Sequence, residues 1–277
     1  MKTQYSVLMS VYYKEKPEYL REAMQSMFNQ SVPTNDFVLV CDGQLNDGLD
    51  EVINEMQAKH KDILHVYRLK KNQGLGKALN FGLKHCRNEL VARMDSDDIS
   101  KIDRCEKQIN VFESKPEISI CSGVIEEFSE NKEIVDAVRI VPETNEEIIE
   151  FAKKRNPFNH PCVMYKKSAV EEVGSYQDFY LLEDYYLWLR MIMAGNNGYN
   201  IQEPLLFMRA GSDMYKRRSG WNYAKSQIRL FKYMKKQIFI GRYQYIKSSL
   251  IRGGAALAPN WIRKFIYEKI QEIKNAE

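Results

Sequence analysis

The sequence predicts an α/β protein whose mixed, mainly parallel, Rossmann-like sheet carries helices on both faces. Over the first hundred residues, apolar strand patterns alternate with segments of helical periodicity in the order βαβαβαβ. This order favours parallel strands, because helical crossovers between parallel strands cover both faces of the sheet. Polar residues follow three of the strands, where ligands of such sheets bind.

Four strands are predicted in this first half, at 5–13, 37–43, 64–69 and 90–95. Three helices are predicted between them, at 17–31, 49–60 and 76–86. The first helix opens with Pro17, which is favourable in a first turn, and continues with apolar residues at helical spacing. Right-handed crossovers are expected for this order of elements.

The second half is less regular. We predict a helix over 101–116, a strand over 118–130, a short strand followed by a helix within 156–176, and an apolar helix over 181–195. From Asn222 onward the chain has the pattern of amphipathic helices. The predicted division is a domain over 1–215, with halves 1–100 and 101–215, and a basic helical extension over 216–277.

Composition excludes several classes of protein. The five cysteines are scattered and never spaced as CxxC, which argues for a reduced compartment and against a zinc module. No signal peptide and no apolar stretch of 18 residues is found, so a cytoplasmic protein is expected.

Charge is distributed unevenly along the chain. Residues 214–277 carry 15 Lys and Arg against 3 acids, a net charge of +12, whereas the remainder has a net charge of −8. An acidic body with a basic tail suggests a polyanionic partner, either nucleic acid or anionic lipid.

The segment VARMDSDDIS places three carboxylates, Asp95, Asp97 and Asp98, directly after the fourth strand. A solvated turn is the ordinary interpretation. A calcium-binding loop is rejected, because Ile99 stands where a ligand is needed and Ser100 where glycine makes the sharp turn. The remaining interpretation is a divalent cation, Mg²⁺ or Mn²⁺, whose shell is completed by substrate phosphates.

Two further segments point to a nucleotide. Asp42, in an Asp-Gly turn at the end of the second strand, is either a turn residue or an acceptor for a base or ribose. In KNQGLGKALNFGL, Gly74 and Gly76 open a helix whose N-terminus is suited to an anion, with Lys77 nearby. No GK[ST] occurs, which excludes a P-loop NTPase.

Glu183 and Asp184 begin the apolar helix over 181–195. Acids are favoured in a first turn by the helix dipole, which explains them without any function. Alternatively, a carboxylate among these apolar neighbours has a raised pKa and serves as a general base.

The tail also has two interpretations. Lys225, Arg229, Lys232 and Lys236 fall on one stripe of a helix, with apolar residues broadly on another side. This pattern is typical of a solvated face over a core face, and equally of a helix lying in a membrane interface.

Taken in order, these segments resemble the family 2 glycosyltransferases of bacterial capsule, exopolysaccharide and O-antigen synthesis, over roughly Tyr5 to Arg218. The resemblance implies a GT-A fold in which 1–100 binds the nucleotide and 101–215 the acceptor. The sequence departs from the family at the end of the first strand, where Pro-Val-Tyr-Asn is usual and Ser10-Val11-Tyr12-Tyr13 stands here. It also lacks a QxxRW motif, so transfer of a single sugar is expected.

The resemblance also implies roles for individual residues. Those implied to hold the base and ribose or lie beside the nucleotide are Ser10, Tyr12, Asp42, Asn72, Gly74 and Lys77. Asp95, Ser96 and Asp97 form the DxD element for the metal and diphosphate, and Asp184 is the implied catalytic base. The implied acceptor or diphosphate contacts are Asn159, His160, Glu183, Arg217 and Arg218.

The implied reaction moves one sugar, with inversion, from a UDP-hexose to a hydroxyl of a lipid-linked saccharide. UDP-galactose, UDP-glucose and a UDP-N-acetylhexosamine are the implied donors, with Mn²⁺ or Mg²⁺ as cofactor. The basic tail would then contact anionic lipid on the inner face of the plasma membrane, and no nucleic acid is expected.

Two rival interpretations remain open. A sugar nucleotidyltransferase shares the sheet type, but needs a glycine-rich basic loop after the first strand, which residues 12–15 do not supply. A non-catalytic module for anionic membranes or nucleic acid would depend on the basic tail and not on Asp95 and Asp97.

Overall fold

A computed structural model describes residues 3–210 and 219–258. The described chain divides into two compact units. The first contains the residues up to 178 together with 187–209, and the second contains 179–186 together with the described residues from 210 onward.

The first unit is built on one mixed sheet. Its strands are β1 (Tyr5–Val11), β2 (Asp36–Cys41), β3 (Leu64–Arg68), β4 (Leu90–Met94), β5 (Ile99–Ser100), β6 (Ile118–Phe128), β7 (Ala137–Arg139), β8 (Met164–Lys166) and β9 (Asn197–Arg209). They are ordered β3-β2-β1-β4-β8-β6-β9-β5, and β7 pairs with β6. Strands β3, β2, β1 and β4 are mutually parallel, as are β6 and β9. The predicted α/β fold class is therefore confirmed.

Along the chain, helices lie between these strands, and further helices come after β9. They are α1 (Pro17–Phe28), α2 (Asp47–Lys59), α3 (Leu75–Leu83), α4 (Arg104–Ser114), α5 (Asn145–Ala152), α6 (Lys167–Glu172), α7 (Glu183–Met193), α8 (Trp221–Lys236) and α9 (Arg242–Leu257). A 3-10 turn covers His160–Cys162.

The parallel strands β1, β2 and β4 form the core because their sequences are mostly apolar. Every residue of β2 and β4 is buried, and in β1 only Ser10 is partly exposed. Helix α3 packs closely on this sheet, since a Cβ at Gly82 would approach Leu8 Cδ1 to 2.5 Å and Val40 Cγ2 to 2.7 Å. A larger residue at position 82 would therefore separate the helix from the sheet.

The predicted boundaries are shifted in two places. The helix predicted from 101 begins at Arg104, because Ile99 and Ser100 form β5 and pair with Phe207 and Leu206 of β9. The apolar helix predicted from 181 begins at Glu183, because Leu181 has a φ of 55°, which no α-helix accommodates.

The second unit contains the helix pair α8 and α9, which agrees with the helical pattern predicted from Asn222. The two helices pack together, and a Cβ at Gly253 of α9 would lie 3.3 Å from Ile228 Cδ1 of α8. Ile238, in the turn between them, has a φ of 61°. Within residues 3–210 and 219–258, no helix has the length and apolar character needed to cross a membrane.

Candidate active site

The acidic cluster lies in the loop that joins β4 to β5. Asp95, Asp97 and Asp98 each offer one carboxylate oxygen, and these oxygens lie within 4.8 Å of one another. Within the described ranges, they are the one group of three or more potential metal ligands brought this close. The loop is held at both ends, because β4 pairs with β1 and β5 pairs with β9.

The electrostatics of this cluster are unfavourable without a cation. Burial, with the charges of Asp95 and Glu15, raises the pKa of Asp97 to about 7. Burial and the neighbouring Asp97 raise the pKa of Asp98 well above its usual range. A divalent cation would offset this mutual repulsion, and its preferred oxygen ligands are present, so the residues fit Mn²⁺ or Mg²⁺.

Arg93 of β4 binds the carboxylate of Asp95, the first acid of the cluster. Its side chain is 1% exposed, and both terminal nitrogens donate to the two carboxylate oxygens of Asp95, one of them over 2.6 Å. This fork fixes the carboxylate in orientation as well as in position. Arg104, also fully buried, donates to the main-chain oxygens of Arg93 over 2.7 Å and of Pro161 over 3.2 Å.

Arg209, at the end of β9, holds the other side of the loop. Its backbone N–H donates to Asp98 Oδ1 over 2.9 Å, and its Nε donates to the main-chain oxygen of Asp97 over 3.1 Å. Its guanidinium also pairs with Glu22 over 2.7 Å. The Asp98 carboxylate is thus buried against the backbone of β9, and it ties that strand to the acidic loop.

Asp42 lies at the same edge of the sheet, because Val11 pairs with Cys41 and Met9 with Met94. Its two carboxylate oxygens accept the backbone N–H groups of Gln73 and Gly74 over 2.8 and 2.9 Å. The loop before α3 is therefore fastened to the end of β2.

Two glycines shape that loop, one through a close approach and one through its backbone conformation. A Cβ at Gly43 would lie 2.6 Å from the backbone nitrogen of Asn72, and Gly43 has a φ of 92°. Gly74 precedes α3 with a φ of 91°, which favours glycine. Of the predicted residues, Asn72 and Gly74 donate hydrogen bonds to Asp42, and Lys77 lies in the first turn of α3.

The segment after β1 reaches the acidic loop through Glu15. Ser96 Oγ donates to Glu15 Oε2 over 2.8 Å, and Glu15 N donates to the main-chain oxygen of Tyr12 over 3.0 Å. Ser10 and Tyr12 are both half-buried. The predicted residues at the ends of β1 and β4 are thus brought together.

The predicted acceptor residues Asn159 and His160 lie in a packed cluster. Asn159 is buried, and its side-chain amide donates to the main-chain oxygens of Gly123 and Arg139. His160 Nε2 lies 3.2 Å from the Tyr176 hydroxyl, and burial together with the Arg93 charge lowers the pKa of His160 well below its usual range. In this arrangement Asn159 fastens β6 and β7, and its acceptor role stays a prediction.

Glu183 and Asp184 form the first turn of α7 and belong to the second unit. Both are half-buried, and Asp184 Oδ1 accepts the backbone N–H of Tyr185 over 2.7 Å. Leu181, with its φ of 55°, precedes them. Such backbone strain in a leucine is uncommon and concentrates at functional sites. Arg217 and Arg218 lie outside the described residues.

Sequence comparison assigns the family. Residues 6–174 match the family described as Glycosyl transferase family 2. The chain belongs to the family 2 glycosyltransferases. The match covers β1 to β4, the acidic loop and the segment through Asn159 and His160.

Several curated proteins resemble this glycosyltransferase over nearly their whole length. An amylovoran biosynthesis glycosyltransferase, AmsE, of Erwinia amylovora is 41% identical, over 96% of this chain and 98% of that protein. An uncharacterised glycosyltransferase of Haemophilus influenzae is 42% identical, over 95% of this chain and 97% of that protein. A UDP-Gal:alpha-D-GlcNAc-diphosphoundecaprenol beta-1,3-galactosyltransferase of Escherichia coli is 37% identical, over 96% of each.

Solved structures confirm the fold. A mannosyltransferase of Pyrobaculum calidifontis, in complex with GDP-Man and Mn²⁺, superposes with a TM-score of 0.67 over 92% of this chain and 74% of its own, at 16% identity. TarS 1-349 of S. aureus, in complex with UDP-GlcNAc, gives a TM-score of 0.64 over 83% of this chain and 66% of its own, at 17% identity. These likenesses support the predicted GT-A fold.

Four residues around the acidic loop escaped the sequence analysis. Glu15 and Arg209 come from segments distant in the chain and carry no local signal. Arg104 lies six residues after Asp98, at the start of α4, and carries no local signal either. Arg93 did carry one, because a cation inside an otherwise apolar strand must find a partner when it is buried. The spacing from Arg93 to Asp95 places both side chains on the same face of the strand, where they meet.

Replacing Arg93 by Met is expected to lower the free energy of unfolding by about 2–3 kcal/mol, because Asp95 loses its bidentate partner. The melting temperature of the metal-free enzyme should fall by roughly 4–12 °C. In the double variant R93M/D95N the cost should be much smaller, since the carboxylate that pairs with Arg93 is removed as well. An equal cost of R93M with and without D95N would show that the ion pair does not stabilise the loop.

Proposed function

We propose that this glycosyltransferase transfers one hexose, with inversion, from a UDP-linked sugar to a hydroxyl of a lipid-linked saccharide. The main observation behind this proposal is that Asp95, Asp97 and Asp98 cluster at the sheet edge where Asp42 also lies. The donor and acceptor are inferred from the E. coli relative, which is named for UDP-galactose and a diphosphoundecaprenol acceptor. UDP-galactose is therefore the first donor to test.

The acidic loop is suited to the diphosphate end of the donor. Asp97 and Asp95 would hold a divalent cation, and Asp98 would keep the loop fastened to β9. When bound, such a cation supplies positive charge that stabilises the leaving diphosphate. The mannosyltransferase of the same fold, described with GDP-Man and Mn²⁺, supports this assignment.

The nucleoside would lie along the edge formed by the ends of β1 and β2. Ser10 and Tyr12 would contact the base and ribose, while Asp42 holds the loop of Asn72 and Gly74 beside them. Each oxygen of Asp42 accepts one hydrogen bond and has a second lone pair, so it can also accept one from the uracil or ribose.

Asp184 is proposed as the general base. Its carboxylate would take the proton of the acceptor hydroxyl as that oxygen forms a bond to C1 of the hexose. The bond from C1 to the diphosphate oxygen breaks on the opposite side, and UDP leaves with its electron pair. One displacement inverts the anomeric centre. Glu183 from the same turn, with Arg217 and Arg218, would contact acceptor or diphosphate.

A lipid-linked acceptor would bring the enzyme to a membrane. We assign this peripheral contact to the basic C-terminal region 216–277, on the inner face of the plasma membrane. The support is the net positive charge of this region, which anionic lipid attracts.

A donor screen tests the proposed reaction. The full-length enzyme is incubated with Mn²⁺, a panel of UDP- and GDP-sugars and a synthetic GlcNAc-diphospholipid, and released UDP or GDP is measured. We expect acceptor-dependent release of UDP, highest with UDP-galactose, and a β-linked product by NMR. Formation of a UDP-sugar from UTP and a sugar phosphate, without transfer, would instead identify a nucleotidyltransferase.

A further inference from the structure

Helix α9 carries an exposed apolar stripe that no described residue covers. Leu250 is 71% exposed and Tyr243 is 77% exposed. The stripe consists of Tyr243, Ile246, Leu250, Ile251 and Leu257. Tyr243, Ile246 and Leu250 follow one another at intervals of three and four residues, and Leu257 comes two turns after Leu250. These four residues therefore lie on one side of the helix, and Ile251 adjoins them.

The stripe is not the surface by which α9 packs within its unit. The buried residues of α9 are Ser248, Gly253 and Ala256, and a Cβ at Gly253 would lie 3.3 Å from Ile228 of α8. Small residues thus form the helix contact, whereas the large apolar side chains point elsewhere. Contiguous exposed apolar surface of this kind marks a site of association.

The segment that contains α8 and α9 carries charge of one sign only. Residues 219–258 contain eight Lys and Arg and no acidic residue, a net charge of +8. Lys247 is exposed beside the stripe on α9, and Lys232, Lys235 and Lys236 are exposed on α8. A second copy of the chain would bring a like charge of +8 against it, which opposes self-association through this face. Anionic lipid complements it.

We propose that the α9 stripe inserts into the headgroup boundary of an anionic membrane, with Lys247 and the α8 lysines contacting lipid phosphates. A helix that exposes an apolar side and carries basic residues without acids, as α9 does, lies in the plane of the interface. The proposal rests on the proposed function, because a lipid-linked acceptor requires the enzyme to work at a membrane. It names the inserted surface, which the charge of the tail alone did not identify.

Vesicle flotation of the full-length enzyme tests this surface. Wild type is compared on phosphatidylcholine vesicles and on vesicles containing 30% phosphatidylglycerol, as is the triple variant I246S/L250S/I251S, which keeps every charge. We expect wild type to float with the anionic vesicles only, and the triple variant to partition at least tenfold less. The matched control I134S/V135S/V138S, which removes three exposed apolar side chains of the first unit, should float like wild type.

A second variant tests the charges without touching the apolar stripe. Lys247→Gln should lower the partition coefficient about fivefold, the fold-change that corresponds to roughly 1 kcal/mol for each cation near the surface. Flotation of the I246S/L250S/I251S variant equal to that of wild type would overturn the proposal. A wild-type dimer that becomes monomeric in this variant, or binding to duplex DNA that depends on the stripe, would also overturn it.

Failure of this proposal is distinguishable from failure of the proposed function. Calorimetric titration of UDP with Mn²⁺, without vesicles, should give the same dissociation constant for wild type and I246S/L250S/I251S. Intact UDP binding with no flotation would contradict the membrane surface alone. Flotation without any UDP binding would contradict the donor assignment alone.

Discussion

Asp184→Asn is expected to lower the turnover number by about 10²- to 10⁴-fold, the range that a general base contributes. Asparagine has the same shape as aspartate, but it cannot accept the proton that the acceptor hydroxyl must lose. The dissociation constant for UDP with Mn²⁺ should change less than threefold, because Asp184 acts on the acceptor. Initial rates at saturating donor, together with calorimetric titration of UDP, measure the two effects separately.

Asp178→Asn is the matched control, since Asp178 is an exposed aspartate shortly before the same helix. It should keep both turnover and UDP binding. If D184N retained a turnover number near that of wild type, Asp184 would not be the base. If D184N lost UDP binding as well, the carboxylate would instead contact the donor.

The central strands could be predicted from the sequence because each one is a mainly apolar run. All of β2 and β4 is buried, and parallel strands covered on both faces need no polar alternation. The position of β5 could not be predicted. Its two residues become a strand only because Phe207 and Leu206 of β9 lie beside them, more than a hundred positions later in the chain.

Helix α5 was missed although it carried a local signal. Thr144 and Glu147 form a capping box, in which each side chain bonds the other residue's backbone N–H. Strand β9 was missed for a different reason, because its sequence includes Asn200, Gln202 and Glu203. Its pairing with β6, and not its own pattern, makes that stretch a strand.

The acidic cluster was predictable because its three members are neighbours in the sequence. What holds the cluster was not, because Glu15 and Arg209 reach it from opposite parts of the chain. The structure adds a role for Asp42 that was not predicted, since its carboxylate accepts the backbone N–H groups of Gln73 and Gly74. A lone Asp-Gly turn does not reveal such a distant partner.

The acidic cluster should also make the metal-free enzyme less stable as the pH rises. The usual pKa of an aspartate is about 3.9, whereas burial and neighbouring charges raise that of Asp97 to about 7. Between these values the unfolded chain has released its proton and the folded enzyme still holds one, so the free energy of unfolding falls with pH. Mn²⁺ competes with that proton, and its stabilising effect should be larger at pH 8 than at pH 5.5.

Asp97→Asn is therefore expected to have opposite effects on stability and on activity. At pH 8 the metal-free variant should melt at least about 2 °C above wild type, because one of three mutually repelling carboxylates is gone. The same change should lower the turnover number about 10²-fold or more and abolish the Mn²⁺-dependent rise in melting temperature. Thermal unfolding with and without Mn²⁺, and calorimetric titration of UDP, measure these effects.

Asp136→Asn, which removes an exposed aspartate far along the chain from the acidic loop, is the control for Asp97→Asn. It should keep the Mn²⁺ response and the turnover number of wild type. If D97N bound UDP equally well with and without Mn²⁺, and as tightly as wild type does in Mn²⁺, donor binding would not depend on a metal at Asp97. A metal-free D97N enzyme that melted below wild type at pH 8 would show that Asp97 stabilises the loop through hydrogen bonds that outweigh the repulsion. The cluster would then be a structural turn, as its sequence alone permits.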